Sequence, residues 1–282
     1  MSRIAYVNGH YGPLSEASVH IEDRGYQFSD GIYEVVALRN GRLSNEEGHL
    51  DRLERSLKEL RIAMPMHRRA LQHVMRELAR KNGAKNALIY IQVTRGVARR
   101  DHPFPKDVAP SIVLTCRSLP KPSAKALAEG VAVISQPDIR WGRRDIKSIS
   151  LLPNILAKQA AREAGAYEAW LVETDGTVTE GSSTNAWILT KDGVLVTRPR
   201  STSILPGITR GQVLKLAQEA QIRLEERPFT LEEAKEAREA FMSSASALVL
   251  PITKIDGQPV GEGIPGPLAK RLRELYETHL AS

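Results

Sequence analysis

Leu50, Leu53, Leu57 and Leu60 recur every three or four residues in EEGHLDRLERSLKELRI, the spacing of one apolar face on a helix. A second helix is expected over 67–82, ended by Asn82-Gly83. Ahead of both, IAYVNG and YEVVALRNGRL read as short strands, and Asn40-Gly41 has the composition of a two-residue hairpin turn. ALIYIQVTRG and SIVLTCRSL follow as strands on either side of a polar loop, VARRDHPFPKDVAP. The prolines of SLPKPSAK then interrupt the pattern. They predict a small N-terminal domain over 1–118, a linker over 119–123 and a larger domain over 124–282.

The second half opens with the strand-like GVAVISQ and a helix over 153–165 that closes at Gly165. Strands are expected at 168–173 and 185–190 around the turn TDGTVTEGSST, with a shorter one, VLVT, at 194–197. SILPGITRGQVLKLAQEA runs from a loop into a helix, and Thr230-Leu-Glu-Glu233 is a capping box that opens another. AFMSSASALVLPI reads as strand, and an amphipathic helix ends the chain. Strands and helices in both halves predict an α+β protein of two domains.

Composition narrows the class. The chain has 282 residues, 41% hydrophobic and 26% charged, enough apolar content for packed cores. No apolar run reaches the roughly 18–20 residues that cross a bilayer, and MSRIAYVNGHYG lacks the apolar centre of a secretory signal. Cys116 stands alone, which excludes an internal disulfide framework and suggests a small buried residue. A cytoplasmic setting without membrane contact is expected. The net charge of +7 raises the question of nucleic acid. The arginines, however, interleave with acids as in LDRLERSLKELR, where helical pairing accounts for them, and no basic tail or zinc spacing accompanies them. Attraction of small anions is the milder consequence.

The candidate chemistry starts at WGRRDIKSISLL, where Lys147 lies among Ile146, Ile149, Leu151 and Leu152 just before a helix. Lysine is ordinarily protonated and solvated. Partial burial, with Arg143 or Arg144 nearby, would favour the neutral amine, a group able to form a Schiff base with an aldehyde. In LPGITRGQV, Ile208 and Thr209 begin a helix whose free N–H groups suit an anion, although Thr209 read alone is a plain cap. The small residues of MSSASALVL would admit a ligand close to the backbone, or simply pack tightly. Glu180 in TVTEGSSTN is either an exposed turn acid or a buried carboxylate for a cationic ring. Arg100 and His102, two apart, would point the same way on an extended chain, as carboxylate capture requires, or belong to a solvated loop. Taken together, these are the parts of a phosphate-bearing aldehyde site.

EDRGYQFSDGIYEVV, HLDRLERS, VTRGVARRDHPFP, DIRWGRRDIKSISLL, TVTEGSSTN and GITRG, in this order, resemble the fold type IV pyridoxal-phosphate enzymes, most closely their D-amino acid aminotransferases. The resemblance spans residues 5–260 or so. It implies a two-domain fold with pyridoxal 5'-phosphate between the domains. Lys147 matches the Schiff-base lysine that also moves the substrate Cα proton, and Glu180 the carboxylate that keeps the pyridine nitrogen protonated. Arg52, Ile208, Thr209, Ser244 and Ala245 match the phosphate contacts. Ala245 departs from the pattern, because the related enzymes carry a threonine there; only its backbone N–H could serve.

Tyr33, Arg100 and His102 match the residues that hold the substrate α-carboxylate, the last two reaching in from a second subunit. The implied reaction is ping-pong transamination of D-amino acids such as D-alanine with 2-oxoglutarate or pyruvate, by a homodimer needing no metal and no nucleic acid. Branched-chain L-amino acid aminotransferases and aminodeoxychorismate lyases share the family and remain alternatives, as does a non-catalytic anion-binding protein of the same fold.

Overall fold

The computed structural model describes residues 3–281. The chain forms two compact units, one running to Pro120 and including Ile146–Ser150, the other comprising Lys121–Asp145 and everything from Leu151 onward.

In the first unit the order is β1 (Ile4–Val7), β2 (His10–Pro13), α1 (Arg24–Phe28), β3 (Gly31–Arg39), β4 (Arg42–Leu43), α2 (Glu46–Glu59), α3 (Arg68–Lys81), β5 (Ala87–Thr94) and β6 (Ser111–Ser118). Among the described residues these strands make one antiparallel sheet in the order β2-β1-β6-β5-β3-β4. Asn40 and Gly41 have φ of 50° and 80°, the left-handed pair that a tight hairpin needs. Leu50, Leu53 and Leu57 of α2 are fully buried with Leu71, Met75 and Leu78 of α3 against Val36, Ile89, Ile91 and Leu114 of the sheet. Leu60 lies past the end of α2 and is only partly buried.

The proline-based limits place Lys147 in the larger domain over 124–282, whereas its segment, Ile146–Ser150, groups with the first unit. Ile146 is buried in the core of the first unit. Tyr33 N–H donates to the Lys147 carbonyl at 2.9 Å, Ile149 N–H donates to that of Gly31 at 3.1 Å, and Ser148 bridges Ile32. The lysine segment thus lies along the start of β3, where β4 does not reach. Gly31 permits the approach: a Cβ there would sit 2.6 Å from the Val93 carbonyl oxygen and 3.2 Å from Ile149 Cδ1.

The second unit contains α4 (Ala124–Glu129), β7 (Val131–Pro137), α5 (Leu152–Glu163), β8 (Glu168–Val172), β9 (Val178–Gly181), β10 (Asn185–Leu189), β11 (Leu195–Thr197), α6 (Ile208–Glu219), β12 (Leu224–Glu226), α7 (Leu231–Lys235), β13 (Glu239–Ser244), β14 (Leu248–Ile255), β15 (Gln258–Pro259) and α8 (Pro267–Ala281). Its mixed sheet runs β12-β11-β10-β13-β14-β7-β8-β9, with β15 added on β14. Both faces are covered, which explains the unbroken apolar strands. Along β10, Ala186 and Ile188 belong to one core with Trp170 and Phe229, while Trp187 points to another. There it stacks on Phe241 at 5.4 Å, beneath Val213 of α6 and Leu272 of α8.

Two expectations change here. The turn TDGTVTEGSST contains a strand, β9, whose residues are all buried. AFMSSASALVLPI is two antiparallel strands joined at 245–247, so its small residues form a turn at one end of the sheet. Thr230 caps α7 as its motif predicts, its hydroxyl accepting from Glu233 N–H at 3.1 Å. Among the described residues no helix is long and apolar enough to cross a membrane, and no cluster of His, Cys, Asp or Glu could hold a metal ion.

Candidate active site

Lys147 is half-buried, and its Nζ lies 4.3 Å from the centre of the Tyr33 ring. A lysine on an aromatic face keeps an electrostatic contact without a carboxylate to lock it as an ion. Arg143 and Arg144, expected to act on it, are engaged elsewhere: Arg143 by Asp145, Arg144 by Glu173 and Asp138. The charge of Lys147 is felt within its own unit by His49, whose protonated form it disfavours. Tyr33 stacks on Tyr90 at 5.7 Å, and burial lifts the Tyr90 phenol to about 12, so it stays a neutral donor to Gln92.

Next along β3, Glu34 is buried and accepts from Arg52 Nε at 2.7 Å, Arg52 Nη2 at 2.9 Å and His49 Nδ1 at 2.8 Å. Burial opposes its charge, yet the arginine and the histidine hold the carboxyl far below its usual range. Burial pushes His49 the other way, toward the neutral ring. Glu34 was not legible as a site residue, being one acid in an apolar strand. Its partners lie one helix away on α2, at spacings of 15 and 18 residues.

In the second unit Glu180 projects from β9 and is 3% exposed, so it is a buried carboxylate and not an exposed turn acid. It accepts from Arg140 Nη1 at 2.6 Å, from Asn185 Nδ2 at 2.9 Å and from Leu205 N–H at 3.1 Å. Burial raises its pKa, and Arg140 opposes the shift. Arg140 is also gripped by both oxygens of Asp138, at 2.9 and 2.7 Å, and Asp138 accepts from Thr179 at 2.7 Å. Asp138, Arg140 and Glu180 thus form a row of alternating charge, with Arg144 also 3.5 Å from Asp138.

The same network reaches the start of α6. Asn185 Nδ2 also donates to the Leu205 carbonyl at 3.1 Å, and its Oδ1 lies where a Cβ on Gly207 would fall, 2.0 Å away. Gly207 is the N-cap of α6 and offers no side-chain cap, so the first N–H groups of the helix, those of Ile208 and Thr209, have no intrahelical acceptor, as an anion-binding helix start requires. At the β13–β14 turn, Ser244 Oγ accepts from Ala247 N–H at 3.2 Å. Ala245, which lacks a hydroxyl, occupies the next position.

Arg100 and His102 are exposed and gather around Phe28 at the end of α1, the arginine 4.9 Å and the imidazole 5.7 Å from its ring. Among the described residues no hydrogen bond or ring contact joins this pair to Tyr33. The expected carboxylate-binding residues thus form two groups within one chain.

The donor set fits pyridoxal phosphate. The first unit holds an amine on an aromatic face, and the second a 12-residue helix without a side-chain cap and a buried carboxylate, the kinds of group that an aldehyde, a phosphate and a ring cation require. Residues 31–255 match the family described as amino-transferase class IV. The chain is 42% identical to the D-alanine aminotransferase of Bacillus licheniformis over 98% of this chain and 96% of that one. It is likewise 42% identical to the D-alanine aminotransferase of Staphylococcus aureus, over 98% of both. Among solved structures, the branched-chain amino acid aminotransferase of Escherichia coli superposes with a TM-score of 0.91 at 26% identity, covering 99% of this chain and 94% of that one. The T.th. branched-chain amino acid aminotransferase, determined with pyridoxamine 5'-phosphate, gives 0.89 at 27%, covering 98% and 93%. The chain belongs to the class IV aminotransferases and has the two-sheet α+β fold of fold type IV.

Proposed function

We propose that this enzyme moves the amino group of D-amino acids, D-alanine among them, to a 2-oxo acid such as 2-oxoglutarate or pyruvate, with pyridoxal 5'-phosphate as cofactor. The carrying observation is the 42% identity to D-alanine aminotransferases along 98% of the chain. Likeness to branched-chain enzymes stands at 26–27% and reflects the shared backbone.

The cofactor supplies an aldehyde for the amine and an electron-accepting ring for the charge left when Cα loses its proton. Lys147 would hold it covalently and, once displaced by substrate, carry the proton between Cα and C4′. Glu180 would keep the ring nitrogen protonated, and that cation in turn would favour the ionised carboxylate. Arg52, Ile208, Thr209, Ser244 and the Ala245 backbone would receive the phosphate. Glu34 would fix the plane of the Arg52 guanidinium through two parallel hydrogen bonds.

Tyr33, Arg100 and His102 would hold the substrate carboxylate. Arg100 and His102 gather at Phe28, and among the described residues no ring contact joins them to Tyr33, on which Lys147 lies. That supports a homodimer in which the loop serves the other subunit. A cytoplasmic enzyme acting on small metabolites is the setting proposed.

Two measurements test this. Borohydride reduction of the pyridoxal-phosphate-loaded protein, followed by peptide mass spectrometry, should place the adduct on Lys147; an adduct on another lysine overturns that assignment. A panel of D- and L-amino acids with 2-oxoglutarate should show D-alanine turned over well ahead of L-leucine. The reverse order would replace the reading with a branched-chain one.

A further inference from the structure

Arg24 opens α1 and is 4% exposed, a depth at which every guanidinium donor needs a partner. Its Nε donates to Asp30 Oδ2 at 2.8 Å. Its Nη1 donates to the carbonyl of Asp101 at 2.5 Å, and Nη2 to that of His102 at 3.3 Å. The guanidinium also lies 4.8 Å from the Phe28 ring, on which Arg100 and His102 rest. Buried arginine, aromatic platform and both proposed carboxylate-binding side chains therefore form one cluster.

Asp30 holds a second buried arginine. Arg95 donates to it through Nε at 2.7 Å and Nη2 at 2.9 Å, reaches the carbonyls of Leu60 and Arg61, and stacks on Phe104 at 3.6 Å. Backbone bonds close the base of the same loop: Arg24 N–H to Gly96 at 2.9 Å and Ala98 N–H to Glu22 at 3.3 Å. Gly96 has φ +104°, and a Cβ there would meet the Ala109 carbonyl at 2.1 Å. The loop over 97–109 is exposed in most of its side chains yet anchored from below at 101–102 and at 104.

We infer that Arg24, oriented by Asp30, is a positioning residue for substrate-carboxylate recognition, fixing the peptide units on which Arg100 and His102 are carried. This rests on the reading that those two side chains bind the carboxylate. The geometry favours that role over simple core packing, because two of the donors of Arg24 end on the backbone of the loop itself. Lysine at this position keeps the charge but not the planar fork, and cannot hold Asp30 and two carbonyls together.

The test is Arg24→Lys, with Asp30→Asn as a second variant of nearly unchanged volume and Arg100→Ala alongside. Arg24→Lys should raise KM for D-alanine about tenfold, as loss of one charge-assisted hydrogen bond implies, with kcat changing less than about threefold. In cofactor-free protein, amide exchange over 97–109 should speed up in Arg24→Lys and Asp30→Asn while β3 and β5 keep their protection. Unchanged KM and unchanged exchange in both variants overturn the inference, as does a fall in kcat alone with the loop still protected. If Arg100→Ala itself leaves KM unaltered, the carboxylate reading fails first. If Arg100→Ala raises KM and neither Arg24→Lys nor Asp30→Asn does, the inference alone fails.

Discussion

Arg52 and Glu34 meet side by side, Nε to Oε1 at 2.7 Å and Nη2 to Oε2 at 2.9 Å, with the carboxylate buried beneath. Replacing Glu34 by glutamine turns one acceptor into a donor facing a guanidinium. Such a break in a buried pair should cost about 3 kcal/mol of stability and loosen the arginine proposed to hold phosphate. Because the folded pKa of Glu34 is depressed, its contribution is complete above its ordinary value of 4.5 and fades as the pH falls below it. Thermal unfolding of Glu34→Gln should therefore lie well under wild type at pH 8 and converge with it in acid. A constant gap at all pH values would show that the charge is not what stabilises.

Glu180 carries the opposite sign. Burial raises its pKa above 4.5, so ionisation costs stability as the pH rises from that value through the folded pKa, and the full cost persists above it. Glu180→Gln, with Arg140 still paired to Asp138, should unfold no earlier than wild type at pH 8 while transaminase activity falls steeply. The advantage should disappear near pH 4.5, where the wild-type side chain is protonated in the folded state. A variant much less stable than wild type at pH 8 would mean that the carboxylate is a structural brace before it is a site residue.

Gly207 and Asn185 are in steric register: an added methyl would stand 2.0 Å from the amide oxygen. The amide can yield only by releasing Glu180 and Leu205, both held by its Nδ2. Gly207→Ala should thus cost about 1–3 kcal/mol, the penalty of leaving buried polar groups unmatched, and weaken cofactor binding about tenfold. Equilibrium dialysis of pyridoxal phosphate against wild type and variant measures the second effect. Equal affinities would detach Asn185 from the phosphate end of the site.

How much of this was legible beforehand depended on range. The leucine stripe of α2 from Leu50 to Leu57 and the Thr230 cap are local, written within one or two helical turns, and they appear as the spacing predicts. Lys147 stood out because its neighbours are apolar, but its membership of the first unit follows from pairing with β3, more than a hundred residues earlier. Nothing in its neighbourhood marks Arg140; its place depends on Glu180, 40 residues on, and on Asp138 beside it. Arg24 was similarly invisible, its loop partners lying 77 and 78 residues away. The resemblance located the groups expected to touch the cofactor. The buried partners that orient them carry no period or spacing of their own.

Ala245 offers the most direct gain-of-function test. It sits half-buried in the 245–247 turn, beside Ser244, whose hydroxyl is already committed to Ala247 N–H at 3.2 Å and shared with Ser246 at 3.4 Å. The serine oxygen accepts there and keeps its own O–H to donate, but one serine does not supply the second hydroxyl that a threonine at 245 would bring. Ala245→Thr adds one O–H on a turn whose partial exposure leaves space for it. A hydrogen bond to an ionised group is worth about 1.5–3 kcal/mol, roughly a tenfold slowing of cofactor release at the lower end. The rate at which absorbance of the bound cofactor decays after dilution into a phosphate-containing scavenger buffer measures it directly. A release rate equal to wild type would mean that the turn does not face the phosphate, and would leave Arg52 and the start of α6 as its whole anchorage.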